Sequence, residues 1–143
     1  ARRPAAMGLH AALAEVAALR GDADAALAAA EAEPEADSRR YALALAAATA
    51  AERAATDRAL ATMREECNGY DLCLANIAAV HACLGDTARL HATLEEAETT
   101  RSYRPFLGFP CLDRYYDDPR FIAHLAKYGM TPPARLSPPR RAH

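Results

Sequence analysis

Leu9-His10-Ala11-Ala12-Leu13-Ala14-Glu15-Val16-Ala17-Ala18-Leu19-Arg20-Gly21-Asp22-Ala23-Asp24-Ala25-Ala26-Leu27 decides the fold. Alanine costs least of all residues in a helix interior, and no alternation of β-branched and polar residues interrupts the run. Gly21 ends one helix by entering the left-handed region, where a side chain would be strained. Asp22 can then accept hydrogen bonds from the free N–H groups that open the next helix. Ala26 is small enough to let the second helix lie close on the first. The phrase reads as helix, turn, helix.

The same phrase returns twice. Leu72-Cys73-Leu74-Ala75-Asn76-Ile77-Ala78-Ala79-Val80-His81-Ala82-Cys83-Leu84 is followed by Gly85-Asp86 and then Thr87 to Glu98. Between these lies a run from Arg39 to Glu66 that lacks the glycine. There Ala54-Ala55-Thr56-Asp57 must supply the turn, with Thr56 as a cap, or the run is one continuous helix. Turns at Gly21, Ala54 and Gly85 stand 33 (54 − 21) and 31 (85 − 54) residues apart, and this period favours the hairpin. Each turn precedes a similar phrase: Ala25-Ala26-Leu27, Arg58-Ala59-Leu60 and, more weakly, Arg89-Leu90-His91. Glu33-Pro34-Glu35-Ala36-Asp37-Ser38 reads as a loop in which Asp37 or Ser38 caps the third helix. Asn68-Gly69 is a turn, and Asp71 caps the fifth. Six helices in three antiparallel pairs follow.

The period, the Gly-Asp turn and the small-residue packing phrase resemble the tetratricopeptide repeat (TPR) family over about residues 5 to 98. The usual aromatic residues of the family are largely missing, and Leu90 stands where it prefers a small residue. The resemblance implies an all-α, right-handed solenoid of stacked antiparallel hairpins over residues 1–98. It also implies a concave groove lined by the first helix of each pair. Mapped onto this chain, the groove residues are Ala11, Glu15, Tyr41, Ala44, Ala48, Glu52, Ala75, Ala79 and Ala82, with Tyr41 and Glu52 as polar contacts. Such a floor of small residues admits an apolar helix or an extended segment, although the same alanines serve equally for close helix packing. The Lys/Asn clamp with which family members grip a peptide carboxylate is not apparent.

Residues 99–130 depart from the repeat and hold most of the chain's aromatic residues. Pro105 and Pro110 stop helix propagation, so this part is expected to run extended across the preceding helices. Asp118-Pro119 is a helix start, and Phe121, Ile122 and Leu125 fall on one face of a short helix ended by Gly129. The segment reads as a lid in which Phe106, Phe109, Leu112, Phe121 and Leu125 cover the last hairpin, as a repeat array requires at its end. This tail resembles that of many bacterial TPR proteins, whose arrays often follow a winged-helix DNA-binding domain, a nucleotide cyclase or a kinase. The resemblance implies that the chain is part of a larger protein. Residues 131–143 read as a flexible Pro-rich end.

Composition narrows function further. Among 143 residues, 17 Lys and Arg against 19 Asp and Glu give a formal charge of -2, which excludes the basic field of a non-specific nucleic-acid binder. No apolar run is long enough to span a bilayer, and with no signal peptide visible the default compartment is the cytoplasm. Cys67, Cys73, Cys83 and Cys111 form no zinc-ligand pattern and are expected as buried or free thiols, although a short turn makes a Cys67–Cys73 bridge conceivable. No nucleophile elbow, phosphate-binding loop or metalloprotease motif is present. His81 and His91 have no ligand-type partner at helical spacing. Glu65-Glu66 and Glu95-Glu96 read as solvated faces. The expectation is therefore a non-enzymatic interaction or regulatory module, without metal or cofactor, whose partner is another protein or peptide segment. Homodimerisation through an exposed face is compatible with it. The second expectation is a small-ligand sensor controlling an attached output domain.

Overall fold

The computed structural model of the protein describes residues 8–66, 71–100 and 110–132. The described residues are helical throughout their regular structure. The helices are α1 (Leu9–Leu19), α2 (Ala23–Ala32), α3 (Ala36–Thr49), α4 (Arg53–Glu66), α5 (Asp71–Leu84), α6 (Thr87–Thr100) and α7 (Pro119–Ala126), with a 3-10 segment at Pro110–Tyr115. None of them is long and apolar enough to cross a membrane.

One turn joins the two helices of every hairpin. Gly21, Ala51 and Gly85 all lie in the left-handed region, at φ 73, 57 and 69°. Asp22, Glu52 and Asp86, the next residues, each donate a backbone N–H to the carbonyl five residues back: Ala17, Ala47 and His81, at 3.0 Å in every case. This bond satisfies a carbonyl that the helix end would otherwise leave free. Asp22 and Asp86 also accept from the N–H groups of Ala25 and Arg89. The middle turn therefore falls at residues 50–52 and not at Ala54–Asp57, because Ala51 accepts the strained conformation that glycine takes elsewhere. Thr56 is not a cap. It is buried inside α4 and donates its hydroxyl to the Glu52 carbonyl at 3.0 Å.

The cap of α3 also differs from expectation. Glu35, not Asp37 or Ser38, accepts from the backbone N–H groups of Asp37 and Ser38. Two residues earlier, Glu33 is fully buried and its carboxylate accepts from the N–H groups of Ala11, Glu35 and Gly8 at 3.0, 3.2 and 3.4 Å. Burial pushes this carboxyl up, but the three donors outweigh it and hold it below the usual glutamate range. The loop thus ties the start of α1 to the start of α3.

Within each hairpin the two helices are in contact. Beyond that, α1 packs on α3, α2 on α3, and α3 on α5. One core, around Leu45, Leu60, Met63, Ile77 and Val80, joins the three hairpins. A second holds Leu90, Leu94 and Ala97 of α6 under Leu112, Tyr115, Tyr116, Phe121 and Leu125. Leu90, large where the packing phrases of the other two hairpins carry alanine, fills this lid interface. Asp118 caps α7 through the N–H groups of Arg120 and Phe121, with Pro119 in the first turn. Of the other lid residues expected, Phe106 and Phe109 lie outside the described residues, as do Asn68-Gly69 and most of the Pro-rich end.

The cysteines correct the sequence expectation. Cys83 and Cys111 form a disulfide with Cα atoms 5.0 Å apart, and Cys73 is disulfide-bonded as well. None of the described cysteines is a free thiol. Cys67 lies outside the described residues. The physical reason is topological: residues 110–115 turn as a 3-10 helix over α5, which lays Cys111 on Cys83.

Candidate interaction surfaces

The expected groove floor is mostly interior. Ala11, Glu15, Tyr41, Ala44, Ala75, Ala79 and Ala82 are buried, Ala48 is half-buried and Glu52 is exposed. These alanines allow the first helices to pack on one another and leave no open floor. The two polar positions, Glu15 and Tyr41, are brought together. They interact with one another, and the Cys111 backbone interacts with the same carboxyl. Burial is the main cause that lifts Glu15 to about 7, Asp113 adds to it, and the polar groups of Tyr41 and Cys111 oppose it. Burial, then Glu15, also raises the Tyr41 phenol. The lid segment thus covers the place where a groove ligand was expected.

Between α6 and α7 a small cleft of about 180 Å³ is lined by two buried histidines, His91 and His124, with Glu95, Glu98, Arg120 and Lys127. His91 Nε2 meets Asp118 Oδ2 at 3.0 Å, and His124 Nδ1 meets Glu98 Oε1 at 2.5 Å. Glu98 also takes Lys127 at 2.5 Å, and that bond is the main reason its carboxyl stays low. Burial lowers His124 more than Glu98 raises it, and burial also lowers His81. These pairs hold the lid helix to α6. His91, read from sequence as packing or surface, is such a clamp.

A wider cleft of about 340 Å³ lies beside the second and third turns, with Arg53, Asp57, Asp86 and Arg89 among its walls. Its charges are spent on one another. Arg89 pairs with Asp57 at 2.9 Å and with Asp86 at 3.6 Å, while Arg53 approaches Asp86 at 3.9 Å. The acidic pairs singled out in the sequence do similar work: Glu66 binds Arg40, Glu96 binds Arg64 and Glu95 binds Arg120 across helices. Among the described residues no group of three or more His, Cys, Asp or Glu is arranged to hold a metal ion.

The surface that sequence reasoning missed is apolar. Leu9, Leu13, Val16 and Leu19 on α1 are 42–51% exposed, and Leu27 of α2 is 43% exposed. Leu84 and Ile122 are the other large apolar residues exposed among those described. Five of the seven exposed large apolar side chains among the described residues thus belong to one hairpin. Comparison with protein-family models, curated protein sequences and solved structures finds no match to this chain.

Proposed function

We propose that the chain is a TPR-like helical-hairpin array that acts as a protein-interaction module, with no catalytic step of its own. The observation that carries this reading is the repeated unit. Three hairpins share one turn geometry at Gly21, Ala51 and Gly85, and their first helices pack side by side from α1 to α3 to α5. A quasi-one-dimensional stack of this kind offers extended side faces to partners. The clefts support binding of a protein over a small effector, because their charged walls are already paired internally. The disulfides favour an oxidising compartment over the cytoplasm as the place of action.

The test is affinity capture with the oxidised chain, followed by cross-link mapping, with Glu52→Arg as an exposed rim variant. A partner whose cross-links fall on α1–α6 supports the module. If no protein is retained while a small metabolite stabilises the chain in a thermal-shift screen, the reading fails and a sensor replaces it.

A further inference from the structure

The Cys83–Cys111 bond is unequal at its two ends. Cys111 is 2% exposed and sits with Leu90, Leu94 and Leu112 in the apolar cluster under the lid. Cys83 is half-buried and is among the residues that line the cleft of about 340 Å³. Beside it in that wall stand the small side chains of Ala48, Ala51 and Thr56. The described lining residues all come from α3 to α6 and the turns between them, and the segment Pro110–Tyr115 that carries Cys111 is not among them. The cleft therefore reaches the bond at its Cys83 end. Exchange of a disulfide begins when a thiolate reaches one of the two sulfurs, and access decides which. Two arginines, Arg53 and Arg89, and two aspartates, Asp57 and Asp86, share the wall, so its charges balance and do not repel an anionic thiol.

We propose that Cys83 is a thiol-exchange site, at which a small thiol of the glutathione class enters the cleft and releases the covalent hold on the lid. The thiol first loses its proton to water. Its thiolate attacks Cys83 Sγ, a new S–S bond forms there, and the Cys83–Cys111 bond breaks. The electron pair of that bond leaves on Cys111 Sγ, which takes a proton from water. The product is a mixed disulfide on Cys83 and a thiol at Cys111, with no other oxidant or reductant consumed. The lid does not drift away, because Phe121 and Leu125 still cover Leu90 and Leu94, and Asp118 still caps α7 and meets His91. Cys111 therefore stays beside Cys83, whose Cα lies 5.0 Å from its own in the bridged state, and can expel the small thiol in the reverse step. The bond is a reversible latch, opened from the cleft and closed from under the lid. The site is independent of which protein partner the array takes.

The test treats the whole oxidised chain with reduced glutathione, quenches in acid and maps the peptides by mass spectrometry. The expected product carries glutathione on Cys83 and a free thiol at Cys111. Glutathione on Cys111, or on neither sulfur, overturns the proposal. Two variants then read access directly, since Cys111→Ala and Cys83→Ala each leave one thiol of the pair. With oxidised glutathione, Cys83 in the first is expected to react faster than Cys111 in the second by about tenfold or more. Equal rates, or a faster Cys111, overturn the asymmetry on which the site stands. Far-UV circular dichroism checks that both variants fold, and if either does not, the wild-type map decides alone. The wild-type adduct is also expected to melt below the bridged chain and to regain its midpoint once free glutathione is removed at neutral pH. An adduct that persists there shows that Cys111 no longer meets Cys83, and the latch falls.

Discussion

Ala51 occupies, at φ 57°, the turn position that Gly21 and Gly85 occupy at 73 and 69°. An L-residue with a Cβ in this region costs about 1–2 kcal/mol relative to its preferred conformations, whereas glycine does not. Ala51→Gly removes that strain. Against it stands the greater freedom of glycine in the unfolded chain, about 0.4–1 kcal/mol. Ala51 is exposed, so deleting its methyl group leaves no cavity. The net expectation is a stabilisation of about 0.5–1 kcal/mol, or a rise of about 2–5 °C in midpoint for a domain of this size. The reverse exchanges, Gly21→Ala and Gly85→Ala, should each destabilise by about 1 kcal/mol. They isolate the backbone effect: a Cβ at Gly21 meets nothing within 4 Å, and one at Gly85 meets only the Arg114 guanidinium at 3.8 Å.

Urea unfolding followed by far-UV circular dichroism reads all three on one scale, with an unchanged slope as the sign that only stability moved. The reasoning is refuted if Ala51→Gly is neutral or destabilising while the glycine replacements are harmless. That pattern would mean the three turns do not share a conformation in solution, and the repeated unit drawn from them would fall too.

Two further perturbations address the lid. Glu15 has a folded pKa of about 7 against an ordinary 4.5, so the folded state holds the extra proton between these values. Stability should therefore fall as pH rises from 4.5 to 7, by on the order of 3 kcal/mol. Glu15→Gln should abolish that fall; parallel pH profiles for the two proteins would sink the assignment. The Cys83–Cys111 disulfide spans 28 residues of sequence, and a cross-link of that span restricts the unfolded chain by about 3.5 kcal/mol. Replacing both cysteines with alanine should lower the urea midpoint accordingly, and an unchanged midpoint would show that the bridge does not constrain the chain.

The sequence was most legible where one residue type settles a conformation. Glycine followed by aspartate marks two of the three turns, and Asp118-Pro119 marks the start of α7. The middle turn was misplaced because alanine rarely takes a positive φ, while Thr56-Asp57 nearby looks like a cap. Glu33 gave no signal at all. A glutamate before a proline reads as loop, and its main donor, Ala11, lies 22 residues upstream. The groove alanines expose a different limit: a helical period fixes which residues share a face but not whether that face meets solvent or another helix. For Ala75 and Ala82 the lid decided it, beside a Cys111–Cys83 contact that no local pattern foretells, and for Ala11, Ala44 and Ala79 the neighbouring helices did.

The lid is held at several points: by the Cys83–Cys111 bond, by the Asp118 cap of α7 and by two histidine–carboxylate pairs. Asp118 serves two of these at once, because one of its oxygens accepts from the N–H groups of Arg120 and Phe121 while the other meets His91. Asp118→Ala should therefore destabilise by about 1–2 kcal/mol, the cost of a lost helix cap, and Asp118→Asn, which can still cap, by less. A urea midpoint that Asp118→Ala leaves unchanged would show that the lid is held without this carboxylate.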